Sequence, residues 1–148
     1  MNELTGVEVL MVEDSEEDLQ LAMRSFKKAK LLNRIHVTRD GAEALDYIFC
    51  QNSHETRRIE DTPRVILLDL KLPKVDGLEV LQRIKSDPRT KRIPVVVLTS
   101  SKEHRDVHAS YEMGANSYIV KPVAFDGFTK AMQELGMYWL LLNNPPKI

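Results

Sequence analysis

Three acidic side chains follow the ends of two apolar segments of the chain. Glu13 and Asp14 come directly after residues 7–12, and Asp69 follows residues 65–68. Carboxylates that converge cannot all stay ionised without a cation, because like charges raise one another's pKa. Their hard oxygens suit Mg²⁺, which binds one or two carboxylates together with water and a phosphate oxygen. The alternative for Glu13 and Asp14 is that they only begin a helix, where acids complement the helix dipole.

The apolar sequence around Asp69 indicates a role beyond metal binding. It stands between Leu68 and Leu70 in an apolar run, where an unpaired carboxylate is costly. A carboxylate beside Mg²⁺ and an ammonium can attack phosphorus and form an aspartyl phosphate. Lys121 supplies an ammonium and Thr99 a hydroxyl, each directly after an apolar segment. A threonine at a strand end can also reflect β propensity alone.

The segments before these side chains predict the strands of a parallel sheet. They are apolar and rich in β-branched residues, as in strands buried on both faces. One further segment alternates in polarity and is expected near a sheet edge. The predicted strands are residues 7–12, 35–38, 65–68, 93–98 and 117–120, with 35–38 as the alternating one.

Helical periodicity fills the intervals between the predicted strands. The fourth helix, about residues 103–113, is the least apolar, and Ser100 and Ser101 are the expected N-cap residues before it. The alternation predicts an α/β fold: a doubly wound five-stranded parallel sheet with five helices. Such sheets carry their sites at the carboxyl ends of the strands, where the side chains named above stand.

Length and composition indicate one folded domain over residues 1–148. The 148 residues are 43% hydrophobic and 29% charged, and a net charge of −1 gives no field that attracts nucleic acid or an anionic membrane. The longest charge-free stretch, residues 135–146, is too short and too rich in Asn and Pro to cross a bilayer. No signal peptide is visible, and Cys50 is the only cysteine, so we expect no internal disulfide and a cytoplasmic location.

Four motifs are spread along most of the chain. They are Glu13-Asp14; Ile66-Leu67-Leu68-Asp69-Leu70 with Leu72-Pro73 and Asp76-Gly77; Val97-Leu98-Thr99-Ser100; and Tyr118 before Lys121-Pro122. With these motifs the chain, from residue 7 to about 142, resembles the receiver domain of two-component response regulators. The resemblance implies a flavodoxin-like sheet with strand order 2-1-3-4-5. A long loop at 51–63, the stretch 114–118 and the apolar tail are similar to small stand-alone regulators paired with phytochrome-type histidine kinases.

The resemblance implies a single-domain response regulator that accepts a phosphoryl group on Asp69 from a histidine kinase, with a bacterial phytochrome among the candidates. It implies that Mg²⁺ is coordinated by Asp14, Asp69 and the backbone carbonyl of Lys71, with Glu13 acting through water. The protein is then not an enzyme but a phosphoacceptor that catalyses its own phosphorylation and dephosphorylation.

The resemblance also implies a switch. Lys121 pairs with the phosphoryl oxygens, while Thr99 and Tyr118 move and reshape the face of the fourth helix, fifth strand and fifth helix. The chain departs from better-known receivers at two positions. Lys71 stands where many receivers carry Asn or Met, and Ser101 stands where the chemotaxis receiver carries an acid. Both positions tune water access in the family, so the lifetime of the phosphorylated state stays open.

Four other functions fit parts of the pattern. A phosphatase of the haloacid dehalogenase class also uses a strand-end aspartate, but it needs an acid where this chain has Lys71. A flavodoxin shares the strand order, but the acids within 13–18 would repel the phosphate of FMN. His104 and His108 have the spacing of zinc ligands, but Arg105 replaces the glutamate of a zincin, which favours solvent-facing histidines. A receiver that only docks other proteins, without phosphorylation, is the fourth.

The C-terminal segment predicts a homodimer. After Gly136, residues 137–142 are apolar all round and begin an extension to residue 148. One domain buries only one face of such a run, so the other face is a candidate surface for a second copy. The alternative is a longer fifth helix that folds back on its own core. Output is expected through contacts with other proteins.

Overall fold

Five short strands form one parallel sheet. The computed structural model describes residues 9–28, 35–100, 103–121 and 130. The strands are β1 (Val9–Val12), β2 (Ile35–Thr38), β3 (Val65–Leu68), β4 (Val95–Thr99) and β5 (Ser117–Val120). Their order is β2-β1-β3-β4-β5, with every neighbouring pair parallel. The predicted fold class and strand order are confirmed, and the alternating segment is indeed an edge strand.

Within the described ranges, four α-helices connect these strands: α1 (Glu16–Lys28), α2 (Gly41–Ile48), α3 (Gly77–Ser86) and α4 (His104–Glu112). The helix predicted at about 103–113 is confirmed as α4, but its N-cap is Glu103 rather than the predicted Ser100-Ser101. The Glu103 carbonyl accepts a hydrogen bond from the Val107 N–H at 3.1 Å. The predicted fifth helix and the extension from residue 137 lie outside the described residues, apart from Lys130, which is helical and exposed. In the described ranges no helix combines the length and the apolar character of a bilayer span.

Alternate residues of the strands pack on opposite faces of the sheet. Leu10 and Ile66 belong to a core shared with α2 and α3, whereas Met11 and Leu67 pack with α1. Successive side chains of a strand point to opposite faces, so a sheet covered on both sides needs apolar residues throughout. The continuous apolar runs of the sequence follow from this double covering.

The connection between α2 and β3, residues 51–63, is tied to the sheet edge. It contains a 3-10 helix, Asn52–His54. Arg57 donates to the carbonyl of Tyr47, and its guanidinium carbon lies 3.8 Å from the centroid of the Tyr47 ring. The ring of His36 on β2 stacks with the same tyrosine, with 4.1 Å between ring centroids. The loop is exposed over most of its length, as predicted, but Arg57 anchors its middle.

Gly77 allows α3 to begin directly against the end of β3. A Cβ at this position would lie 2.3 Å from the backbone oxygen of Asp69 and 2.4 Å from the Cα of Leu70. The N–H of Gly77 donates to the Leu70 carbonyl at 2.9 Å. Because only glycine fits this approach, the first turn of α3 fixes the backbone that carries Asp69.

Candidate functional site

The strand ends bring the predicted side chains to one rim of the sheet. Val12 and Leu68 are register partners, and the N–H of Asp69 donates to the Val12 carbonyl at 3.1 Å. On the other side of β3, the N–H of Lys121 donates to the Thr99 carbonyl at 2.7 Å. The residues that follow the parallel strands therefore share the carboxyl edge of the sheet, as the sequence predicted.

The Lys121 ammonium lies at the centre of three carboxylates. Its Nζ is 2.8 Å from Glu13 Oε1, 3.0 Å from Asp69 Oδ2 and 2.7 Å from Asp18 Oδ2. An ammonium has three donors, and these three carboxylates use all of them. Lys121, Glu13, Asp18 and Asp69 together form the rim cluster.

Burial acts against the charges of the rim cluster. It raises the pKa of Glu13 to about 7; the hydrogen bond from Lys121 opposes that rise, and the negative charge of Asp69 adds to it. Burial alone would lower the pKa of the Lys121 ammonium, but hydrogen bonds to Asp18 and Glu13, with the charges of Glu13 and Asp69, outweigh it and raise that pKa. Three carboxylates thus face one ammonium, and the rim attracts further positive charge.

Asp18 is the member of the rim cluster that sequence reasoning missed. It lies in the first turn of α1, and its side chain is 37% exposed. In the sequence it is one of a block of acids at 13–18, and the only role that the sequence pattern indicates for Asp18 is to help repel the phosphate of FMN. The sequence feature that could have identified Asp18 is its position in the helical turn directly after Glu13 and Asp14, because that turn starts at the rim.

Asp14 and Lys71 stand outside the rim cluster. The side chains of both are exposed, and the carbonyl of Asp14 accepts a hydrogen bond from Arg39 at 3.5 Å. The backbone N–H of Lys71 donates to Asp69 Oδ1 at 3.2 Å. With Lys121 on Oδ2, both oxygens of the Asp69 carboxylate are oriented by hydrogen bonds.

Thr99 and Tyr118 occupy neighbouring strands beside the rim. Thr99 is fully buried at the end of β4. Tyr118 is half-buried on β5, pairs in register with Val97 and packs against the core shared with α2 and α3. Their positions follow the sequence prediction, and their part in a switch remains a prediction.

The donors of the rim suit a magnesium ion. Glu13 and Asp69 present hard carboxylate oxygens, and the cluster carries more negative than positive charge. In the part of the chain that is described, no three acidic, histidine or cysteine side chains are placed to hold a metal by themselves. Lys121 fills the point where the carboxylates converge. Mg²⁺ needs only one or two protein carboxylates besides water, so this donor set fits such an ion.

The histidines of α4 lie on a different surface. His104 and His108 are both exposed, and His108 Nε2 lies 2.8 Å from Glu112 Oε1. Solvent-facing histidines, the interpretation that we favoured, match this arrangement.

Comparison with known proteins decides the family. The model of the family described as "Response regulator receiver domain" matches residues 9–133. The chain belongs to this family. The receiver is 43% identical over 138 residues to the "Probable methanogenesis regulatory protein FilR2" of Methanothrix harundinacea, an alignment that covers 93% of the receiver and 86% of FilR2. It is 41% identical over 132 residues to the response regulator Rcp1 of Synechocystis sp., covering 89% of the receiver and 88% of Rcp1.

Solved structures of similar proteins agree with this assignment. The crystal structure of the Mn(2+)-bound form of Rcp1 matches with a TM-score of 0.82 and 40% identity, over 93% of the receiver and 97% of that chain. The bacteriophytochrome response regulator RtBRR matches with a TM-score of 0.77 and 50% identity, over 96% of the receiver and 85% of that chain. The protein is a response regulator of two-component signalling, so the phosphatase and flavodoxin alternatives are excluded.

Proposed function

We propose that this receiver accepts a phosphoryl group on Asp69 in a Mg²⁺-dependent reaction. The contact between Lys121 Nζ and Asp69 Oδ2, 3.0 Å long with both side chains 9% exposed, carries the proposal. A carboxylate that is nearly excluded from water is kept ionised by an ammonium that can also receive phosphoryl oxygens.

The site residues divide the work. Glu13, Asp14, Asp69 and the backbone carbonyl of Lys71 would hold Mg²⁺, with Glu13 acting through water. When bound, the ion offsets the charge of the phosphoryl oxygens. The Lys71 N–H keeps Asp69 oriented through Oδ1, and Lys121 turns a donor toward the phosphoryl group.

The transfer breaks the bond between phosphorus and a histidine nitrogen of the kinase and forms a bond between phosphorus and an oxygen of Asp69. The electron pair of the broken bond stays on the imidazole. Dephosphorylation is a separate hydrolysis, in which water attacks phosphorus and the bond between phosphorus and the Asp69 oxygen breaks. Inorganic phosphate leaves with both protons of the water, and Asp69 returns to a carboxylate. The receiver is thus a phosphoacceptor that catalyses both steps on itself, not an enzyme with a separate substrate.

A histidine kinase of the phytochrome type is the proposed phosphodonor. The 50% identity to RtBRR, which is named as a bacteriophytochrome response regulator, supports this class. FilR2 bears a name from methanogenesis instead. The rate of phosphoryl transfer to this receiver distinguishes the two kinds of donor. It is measured from a phosphorylated bacteriophytochrome and from an unrelated histidine kinase.

We further propose that the protein works as a cytoplasmic homodimer that signals through protein contacts, without binding nucleic acid or a membrane. The apolar residues 137–142 support the dimer, and the net charge of −1 supports the absence of a nucleic-acid partner. The lone Cys50 fits a reducing compartment.

Intact-mass measurement after incubation with acetyl phosphate tests the central claim. The wild type should gain one phosphoryl group with Mg²⁺ and lose this gain with EDTA, whereas Asp69→Asn should gain none. Asp61→Asn, at an exposed aspartate of the 51–63 loop, is the matched control and should behave as the wild type. Unchanged labelling of Asp69→Asn would refute the assignment of the acceptor, and a wild type that no donor labels would make the protein a docking module.

A further inference from the structure

The contact of Asp18 with Lys121 is not a by-product of helix capping. Ser15 caps α1, and its Oγ accepts from the Asp18 N–H at 3.3 Å. In a capping box the acid at this place returns a hydrogen bond to the N–H of the cap residue. Here the Ser15 N–H donates to Glu13 Oε2 at 3.1 Å instead. The carboxylate of Asp18 is therefore released from the cap, and it reaches across to Lys121 on β5 at 2.7 Å.

The three partners of Lys121 differ in how easily they can let it go. The side chains of Glu13 and Asp69 are 1% and 9% exposed, so either would be left as a buried unpaired charge. The side chain of Asp18 is 37% exposed, so water can replace the ammonium there. Asp18 is the partner whose release is least costly.

We propose that Asp18 is a positioning residue. It holds the Lys121 ammonium in the unphosphorylated receiver and releases it to the phosphoryl group when Asp69 is phosphorylated. All three donors of the ammonium are occupied. The donor on Asp69 can pass to the phosphoryl group that this residue accepts, but a second donor for the phosphoryl oxygens becomes available only if Asp18 or Glu13 withdraws. Asp18 thereby competes with the phosphoryl group for Lys121, and this competition lowers the affinity of the receiver for the phosphoryl group. This inference rests on the proposed role of Asp69.

Binding of beryllofluoride, which mimics a phosphoryl group on a carboxylate without reacting, gives a direct test. Its affinity at saturating Mg²⁺ is measured by calorimetry for the wild type, Asp18→Asn and Asp18→Ala. Removing the competitor should tighten binding about two- to fivefold, which is the range of a partly exposed ion pair. Asp18→Glu, which keeps the charge, should move the affinity back toward the wild type.

Glu17→Gln is the matched control. Glu17 is an exposed acid of the same helical turn, and its replacement removes the same charge one residue away. Its beryllofluoride affinity should equal that of the wild type. Equal tightening in Glu17→Gln and Asp18→Asn would overturn the proposal, because the effect would then be one of net charge.

A second readout needs neither metal nor phosphoryl mimic. In the metal-free protein, the three hydrogen bonds should protect the Lys121 ammonium protons from exchange with solvent, as followed by nitrogen-15 NMR. Exchange should be faster in Asp18→Asn and unchanged in Glu17→Gln.

The outcomes separate this inference from the proposed function. A wild type that fails to bind beryllofluoride removes the proposed function itself. A wild type that binds, with Asp18→Asn binding equally well or more weakly, shows that Asp18 only fastens α1 to β5 and overturns the exchange role.

Discussion

The ammonium of Lys121 and the carboxylate of Glu13 form an ion pair at 2.8 Å, in which the Glu13 side chain is 1% exposed. Such a pair contributes little net stability when intact, because desolvation of the two charges offsets their attraction. Removal of one partner is different, since it leaves the other charge buried without compensation. The rim cluster is consequently most sensitive at its single cation.

Lys121→Met should lower the free energy of unfolding by about 3–5 kcal/mol, the usual effect of breaking a buried ion pair. Urea denaturation at pH 7.5 measures this loss. The loss should shrink at pH 6, because Glu13 can then take up a proton and become neutral. Lys27→Met, at an exposed lysine of α1, is the control. A loss as small as that of the control would contradict the cost assigned to the unpaired carboxylates.

Thr99 and Tyr118 are expected to transmit the signal without making the bond. Thr99→Ala and Tyr118→Ala should still gain a phosphoryl group by intact mass, because neither side chain is the nucleophile. The change in deuterium uptake of α4 on phosphorylation should be reduced in both. Thr99→Ser, which keeps the hydroxyl, serves as the control. If either alanine variant lost phosphorylation and the α4 response to the same extent, this division of roles would be wrong.

Lys71 should affect how long the phosphoryl group persists. Its side chain is exposed while its backbone N–H contacts Asp69, so the ammonium can reach over the acyl phosphate and hinder the attacking water. Lys71→Asn should change the dephosphorylation rate at fixed Mg²⁺, followed by loss of phosphoprotein mass over time. Identical decay curves would remove the side chain from the mechanism.

His36 should make the stability depend on pH. Burial lowers its pKa, and the charges of His54 and Arg57 add to that effect while Glu43 opposes it. Its Nε2 is buried without a hydrogen-bond partner among the described residues. Since the native state binds this proton less readily than the unfolded chain, stability should fall as the pH drops below the ordinary histidine pKa of about 6.5.

His36→Phe, which preserves a ring against Tyr47, isolates this effect. The decrease in urea midpoint between pH 7.5 and pH 5 should be smaller in this variant than in the wild type. His104→Gln, at an exposed histidine of α4, should keep the wild-type decrease. The same decrease in all three proteins would rule out His36 as its source.

The segment from residue 137 should carry the dimer contact. Light scattering at micromolar concentration should give a dimer for the full chain and a monomer for a version that ends at Gly136. A full chain that is monomeric refutes the homodimer. A dimer that survives the truncation places the interface elsewhere.

The sequence predicted those features that depend on local pattern or on charge in an apolar setting. The bounds of β3 and β5 agree residue for residue, and Asp69 was recognised because a carboxylate interrupts an apolar run. The role of Asp18 could not be predicted in this way, because its partner is more than a hundred residues away and the contact depends on where α1 starts. The N-cap of α4 could not be predicted, because two serines are stronger capping signals than the glutamate that actually precedes the helix.

The anchoring of the 51–63 loop makes it a permissive place for lengthening the chain. The loop leads into the amino end of β3, whereas the rim cluster lies at the carboxyl ends of the strands. Arg57 and the buried Pro63 fix the backbone on either side of residues 58–60, whose two charged members are exposed. A reporter peptide or fluorescent label inserted into that short stretch would lie at the amino ends of the strands, opposite the rim cluster. Phosphorylation of Asp69 could then be followed without disturbing the site.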